Sequence, residues 1–129
     1  MTEKMKIIDF LRENQLDAIF VQKDENCRYL SKFTGSDSYL LLTKEKLYLL
    51  TDSRYTEQAR KEAADYTVVD YKGHLAEIVA KLAGEYHIKT MGVETVFSYQ
   101  MYLSFHEYMP NIDIRIQTIA ENLRKKFPV

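Results

Sequence analysis

"LLTDSRYTEQA", Leu49 to Ala59, is the stretch on which the reading of this chain turns. An apolar run stops at Thr51, a polar and aromatic cluster of Asp52, Ser53, Arg54 and Tyr55 follows, and helical spacing begins after it. A strand therefore hands over to a helix. Asp52 or Ser53 can cap that helix, because a short side-chain oxygen accepts one of the backbone N–H groups left unpaired at a helix start. Arg54 fits less well, since a cation in the first turn meets the positive end of the helix dipole. A residue that breaks a local rule is a candidate for a duty outside the fold. Held at a strand end, a guanidinium can grip a carboxylate or a carbonyl with paired hydrogen bonds. The residues alone leave both readings open: a helix start that tolerates an arginine, or an arginine held towards a ligand.

Upstream, "SYLLLT" and "LYLLT" are apolar runs separated by Lys44, Glu45 and Lys46, which predicts two strands joined by a charged turn. "LDAIFV", Leu16 to Val21, predicts an earlier strand. Between them "DENCRYLSKF" reads as a short helix, with Asp24 placed to cap it, Tyr29, Leu30 and Phe33 facing inward, and Gly35 breaking the pattern. Ile7, Ile8 and Leu11 predict a first helix. Downstream, Tyr55, Ala59 and Ala63 form a narrow stripe of mostly small residues for close packing. "YTVVDY" predicts a strand, and Leu75, Ile78, Val79, Leu82 and Tyr86 keep the most regular helical spacing in the chain. "TMGVE" predicts another strand, Ser98 caps a helix that must stop at Pro110, and the alternation of "IDIRI" marks an edge strand. The order predicts an α/β fold: a mixed, mostly parallel sheet with one antiparallel hairpin and helices on both faces. Thr118 to Glu121 then reads as a capping box, yet only eight residues follow it. We therefore expect one domain over residues 1–117, with 118–129 opening a helix that leads into a further segment.

A chain of 129 residues that is 46% hydrophobic can bury one core and is too short for two. Its net charge of -1 lacks the clustered basic excess that nucleic-acid phosphates require. The one basic cluster, Arg124 to Lys126, reads as the solvated face of a helix. Cys27 is alone, so no internal disulfide forms, and its apolar neighbours predict a packed thiol. "MTEKMKIIDFLREN" has no apolar centre like that of a signal peptide, and no run reaches membrane-spanning length, so the expected location is cytoplasmic. "HEYMP", from His106, begins like a zinc-binding helix, but Pro110 stands where the second histidine is required. His74, His87 and His106 share no ligand spacing, and neither a Gly-rich phosphate loop nor a nucleophile elbow is present. The expected metal and cofactor content of the chain itself is none, and so are its catalytic residues.

"NCRYLSKFTGSDSYLLLTKEKLYLLTDSRYTEQARKEA", Asn26 to Ala63, resembles the N-terminal domain of the creatinase/prolidase/aminopeptidase P family. The family pattern N-x-R-Y-L-x-x-F-T-G-S, hairpin, T-D-S-R-Y-x-x-Q-A is matched at Asn26, Arg28, Tyr29, Leu30, Phe33, Thr34, Gly35, Ser36, Thr51 to Tyr55, Gln58 and Ala59. The order of elements agrees over almost the whole chain. Two departures are visible: Gln15 stands where a glycine often ends the first helix, and Lys126 and Phe127 depart from the usual linker order. The resemblance implies a ribonuclease H-like domain from an Xaa-Pro dipeptidase or aminopeptidase, a hydrolase that cleaves before proline. It also implies two divalent metals, commonly manganese, bound by a C-terminal domain absent from this chain, so that the chain as given is inactive. Homodimer formation, walling of a channel for proline-containing peptides, and peptide binding by Arg54 supported by Asp52 and Tyr55 are further implications. The rival readings are a stand-alone binding or dimerisation module on the same fold and a creatinase-type amidinohydrolase.

Overall fold

A computed structural model describes residues 2–116 and 118–127. Strands β1 (Ala18–Val21), β2 (Tyr39–Thr43), β3 (Leu47–Thr51), β4 (Thr67–Asp70), β5 (Thr90–Val93) and β6 (Asp113–Ile116) form one sheet in the order β4-β3-β2-β1-β5-β6. β2 pairs antiparallel with both β1 and β3, whereas β1–β5, β3–β4 and β5–β6 are parallel. Five strands thus run one way and β2 alone runs the other, the mixed sheet expected from the sequence. Thr43 shapes the charged turn. Its hydroxyl accepts from the N–H groups of Glu45 (3.2 Å) and Lys46 (2.9 Å) and donates to the Lys46 carbonyl at 2.8 Å.

The central strands read as continuous apolar runs because both faces are covered. Helices α1 (Glu3–Glu13), α2 (Asp24–Ser31), α3 (Thr56–Glu62) and α6 (Ile119–Arg124) pack on one face, where Ile7, Leu11, Leu30, Ala59 and Leu123 meet Ile19, Leu40 and Leu49. Helices α4 (Leu75–Glu85) and α5 (Tyr99–Tyr108) pack on the other, where Val79, Leu82 and Phe105 meet Phe20, Leu41, Leu50 and Met91. Alternation of side chains along a strand divides the two sets: Ile19 and Val21 enter the first core, Ala18 and Phe20 the second. β6 is an edge strand, as its alternating pattern predicted.

Local signals were overruled at three helix ends. Lys23, not Asp24, is the N-cap of α2 and offers no side-chain bond; Asp24 is already helical. α2 ends before Gly35, at Lys32 in the left-handed conformation with φ 70°. Gly35 answers a different need: a Cβ there would lie 2.3 Å from a ring carbon of buried Phe33, so the ring folds against a bare Cα. The capping box at Thr118 does not close, because Thr118 makes no side-chain cap bond and Glu121 accepts from Asn26 Nδ2 at 3.1 Å. Ala120 and Leu123 of this last helix are buried in the first core.

Gln15 occupies the left-handed position after α1, with φ 56°, and the next N–H, of buried Leu16, reaches back to the Leu11 carbonyl at 2.9 Å. A residue bearing Cβ is strained there, and glycine is not. Gln15→Gly should therefore stabilise the fold by about 0.5–1 kcal/mol. The measurement is the urea midpoint at unchanged slope, and a lower midpoint would contradict it.

Candidate functional site

β3 ends at Thr51, and Asp52 caps a 3-10 turn, Ser53–Tyr55, by accepting the Arg54 N–H at 2.9 Å. The turn continues into α3, so the cluster does begin a helix, through one tighter turn. Arg54 folds back onto the same aspartate: Nε donates to Oδ1 at 3.1 Å and Nη2 to Oδ2 at 2.8 Å. Its guanidinium lies 5.1 Å from the centre of the Tyr55 ring. The three residues singled out from sequence thus stand together. Asp52 also explains why a cation is tolerated here, since a carboxylate complements both the guanidinium and the helix start. The hydrogen bond from Arg54 holds the Asp52 carboxyl below its ordinary range, and Asp52 in turn pushes the Arg54 pKa up. The Arg54 side chain remains 70% exposed, and no hydrogen bond to Nη1 occurs among the described residues. A charge-balanced pair with open donors suits a carbonyl, or a carboxylate shared with solvent.

The setting is the end of the sheet where the parallel strands finish, the place at which open α/β sheets build their sites. Thr51 and Asp70 are register partners there, and Tyr71, just past β4, lies 5.8 Å ring to ring from Tyr39. Burial raises the Tyr71 hydroxyl's pKa, and the negative charges of Asp52 and Asp37 add to the effect.

Other residues of the recognised pattern tie this end together without facing it. Thr34 donates its N–H and hydroxyl to Glu62 Oε1 at 2.7 and 2.9 Å, and Gln58 Nε2 donates to Thr34 Oγ1 at 3.2 Å and Glu62 Oε2 at 3.1 Å. The N–H of Thr34 holds the Glu62 carboxyl below its ordinary 4.5. A depressed folded pKa means that unfolding takes up a proton at intermediate pH, so Glu62 stabilises fully above its ordinary 4.5 and loses that contribution progressively as the pH falls through its lowered folded value. Glu62→Gln should therefore lower Tm at about pH 7 and leave it close to that of the parent at about pH 3. Equal losses at both values would place the effect elsewhere.

A second cluster was invisible in the sequence. Glu94, directly after β5, is 1% exposed. Its Oε1 accepts the N–H groups of Gln22 (2.5 Å) and Lys23 (2.9 Å), and Oε2 accepts from Asn26 Nδ2 at 2.6 Å. Glu94 thereby pins the backbone of the N-cap Lys23 and of Gln22 before it, at the start of a helix that has no side-chain cap of its own. Asn26 is 0% exposed, and its Oδ1 accepts from Arg124 Nη1 at 2.8 Å. The Arg124 guanidinium lies 4.6 Å from the Tyr29 ring centre, and the Tyr29 hydroxyl donates to the Phe127 carbonyl. Arg124, expected on a solvated helix face, is instead bound inward. The spacing of Asn26 and Tyr29, three apart on one helix face, was the only available signal.

Cys27 is buried, with its thiol near the carbonyls of Val21 (3.5 Å) and Ser38 (3.6 Å), and burial pushes its pKa up, so it is a packed thiol. His74, His87 and His106 are exposed. Among the described residues no three metal-ligating side chains come together, so the residues present do not fit a metal site. No helix there is long and apolar enough to cross a membrane.

A family model described as the creatinase/prolidase N-terminal domain matches residues 5–126. The chain is 28% identical over 111 residues to the uncharacterised peptidase YqhT of Bacillus subtilis, a match covering 85% of this chain and 31% of that protein. The chain thus spans about a third of the length of that relative. Among solved structures, an Xaa-Pro dipeptidase from Bacillus anthracis superposes with a TM-score of 0.84 at 28% identity, covering 94% of this chain and 34% of that one. An aminopeptidase P from Streptococcus thermophilus superposes with a TM-score of 0.85 at 28% identity, and there the match covers 95% of both chains.

Proposed function

The chain belongs to the creatinase/prolidase N-terminal domain family, and from that premise we propose that it is the non-catalytic part of an Xaa-Pro dipeptidase or aminopeptidase. The observation that carries this is a family match over nearly the whole chain, beside relatives named as peptidases that continue for about twice its length again. Residues 1–117 are the domain, and 118–129 open the connection to a metallopeptidase domain. That second domain would hold two divalent metals, manganese in our reading, and the chemistry they would supply is Lewis-acid activation of water. The substrate is a short peptide containing proline, and the protein works in the cytoplasm as a homodimer.

This chain's own task is to wall the substrate channel and present Arg54 to it. Asp52 holds the guanidinium in plane, Tyr55 lies beneath it, and the open donors take a peptide carbonyl or carboxylate. Selection of short peptides follows from closing one side of the channel. Purified 129-residue chain should release no proline from an Xaa-Pro dipeptide in excess manganese or cobalt, because no three metal-ligating side chains come together among its described residues. Chelator-sensitive release by that chain would overturn the assignment. So would a longer protein that lacks hydrolytic activity, which would favour a binding or dimerisation module.

A further inference from the structure

We infer that Glu94, Asn26 and Arg124 form a latch that fixes the direction in which the chain leaves the domain, an inference that rests on the reading that a catalytic domain follows. The starting point is the topology. β1 and β5 are adjacent and parallel, yet α2, after β1, packs on the first core, whereas α5, after β5, packs on the second. Chain leaving neighbouring parallel strands towards opposite faces opens a crevice at the strand ends, where α/β sheets commonly bind ligands. Here the crevice holds a buried carboxylate, and the chain's own last helix lies over the residues it binds.

The polarity of the relay is fixed from its inner end. The carboxylate of Glu94 can only accept, so Asn26 must turn Nδ2 towards it and Oδ1 away from it. Arg124 can only donate, so it finds an acceptor at Asn26 Oδ1. A flipped amide would set donor against donor at Arg124 and acceptor against acceptor at Glu94. Arg124 is held again by the face of the Tyr29 ring, and Tyr29 in turn bonds the backbone at Phe127. Asn26 and Tyr29 thus grip the last helix at Glu121 and Arg124 and the chain just after it at Phe127. A six-residue helix without a side-chain cap of its own would not hold a direction unaided. Glu94 makes no hydrogen bond to α6 among the described residues, so it acts through Asn26 as a positioning residue.

Hydrogen exchange on the 129-residue chain tests the latch. Glu94→Gln puts an amide where a pure acceptor is required, and the amides of residues 122–127 should exchange at least about tenfold faster while β1, β2 and β3 keep their protection. Unchanged exchange at 122–127 would overturn the relay. In an Asn26→Ala background Glu94→Gln should add nothing at α6, and an additive effect would equally overturn it. Should Glu94→Gln unfold the chain, Arg124→Ala decides, because it cuts the latch from its half-exposed end: release confined to 122–127 supports the proposal, and retained protection sinks it. In the longer enzyme, Arg124→Ala should lower kcat and leave KM for an Xaa-Pro peptide almost unchanged, whereas a purely structural role would lower only the melting temperature. A longer protein without Xaa-Pro hydrolysis would refute the proposed function, and the exchange measurements would still decide the latch.

Discussion

Phe20→Ala should destabilise the chain by about 3–5 kcal/mol, a large part of the total for a domain of this size. Phe20 is fully buried in the middle of β1, stacked on Tyr39 at 5.6 Å and meeting Phe105 and Phe97 edge-on at 5.1 and 6.2 Å. Its neighbours come from β2, α5 and the loop before α5, so they cannot all close on the vacated space. The cost is therefore the lost transfer energy together with a cavity. Thermal unfolding should show Tm lower by about 10–20 °C with the transition still cooperative. A loss below about 1 kcal/mol would mean that α5 settles onto the sheet and fills the gap.

Arg54→Ala should have the opposite profile. The side chain is exposed and Asp52 keeps its capping bond to the backbone N–H of residue 54, so Tm of the domain should hardly move. In the longer enzyme kcat/KM for an Xaa-Pro peptide should fall by about tenfold to a few hundredfold, the loss expected when a charge-assisted contact to substrate is removed. Arg54→Lys should recover little, since an ammonium cannot reproduce the planar fork that Asp52 now orients. Wild-type kcat/KM across several peptide lengths would confine Arg54 to the helix start.

Much of the architecture was legible because its causes are local. The apolar runs at Ala18–Val21, Tyr39–Thr43 and Leu47–Thr51 are strands because burial on both faces leaves no room for polar alternation. Val79 and Leu82 face a core because helical spacing puts them on one side, and Ser98 caps α5 through a bond only three residues long. Arg54 could be picked out for the same reason, as a cation at a helix start. Asp52 stands out beside it, both as cap and as support, and a single rotamer serves both: Oδ1 accepts the Arg54 backbone N–H and Nε while Oδ2 accepts Nη2.

What the tertiary structure alone decided lies at longer range. Asp24 and the capping box at Thr118 are sound local signals, and both lost to partners far along the chain. Glu94 pins the backbone at the start of α2 from 71 and 72 residues away, and Asn26, bound to Glu94 across 68 residues and to Arg124 across 98, draws the last helix inward. Spacing rules reach about one helical turn, because that is as far as backbone geometry fixes where a side chain points. Beyond it, a buried acceptor such as Glu94 must find its donors wherever folding brings them, since leaving it unpaired out of water would cost more than any local cap supplies.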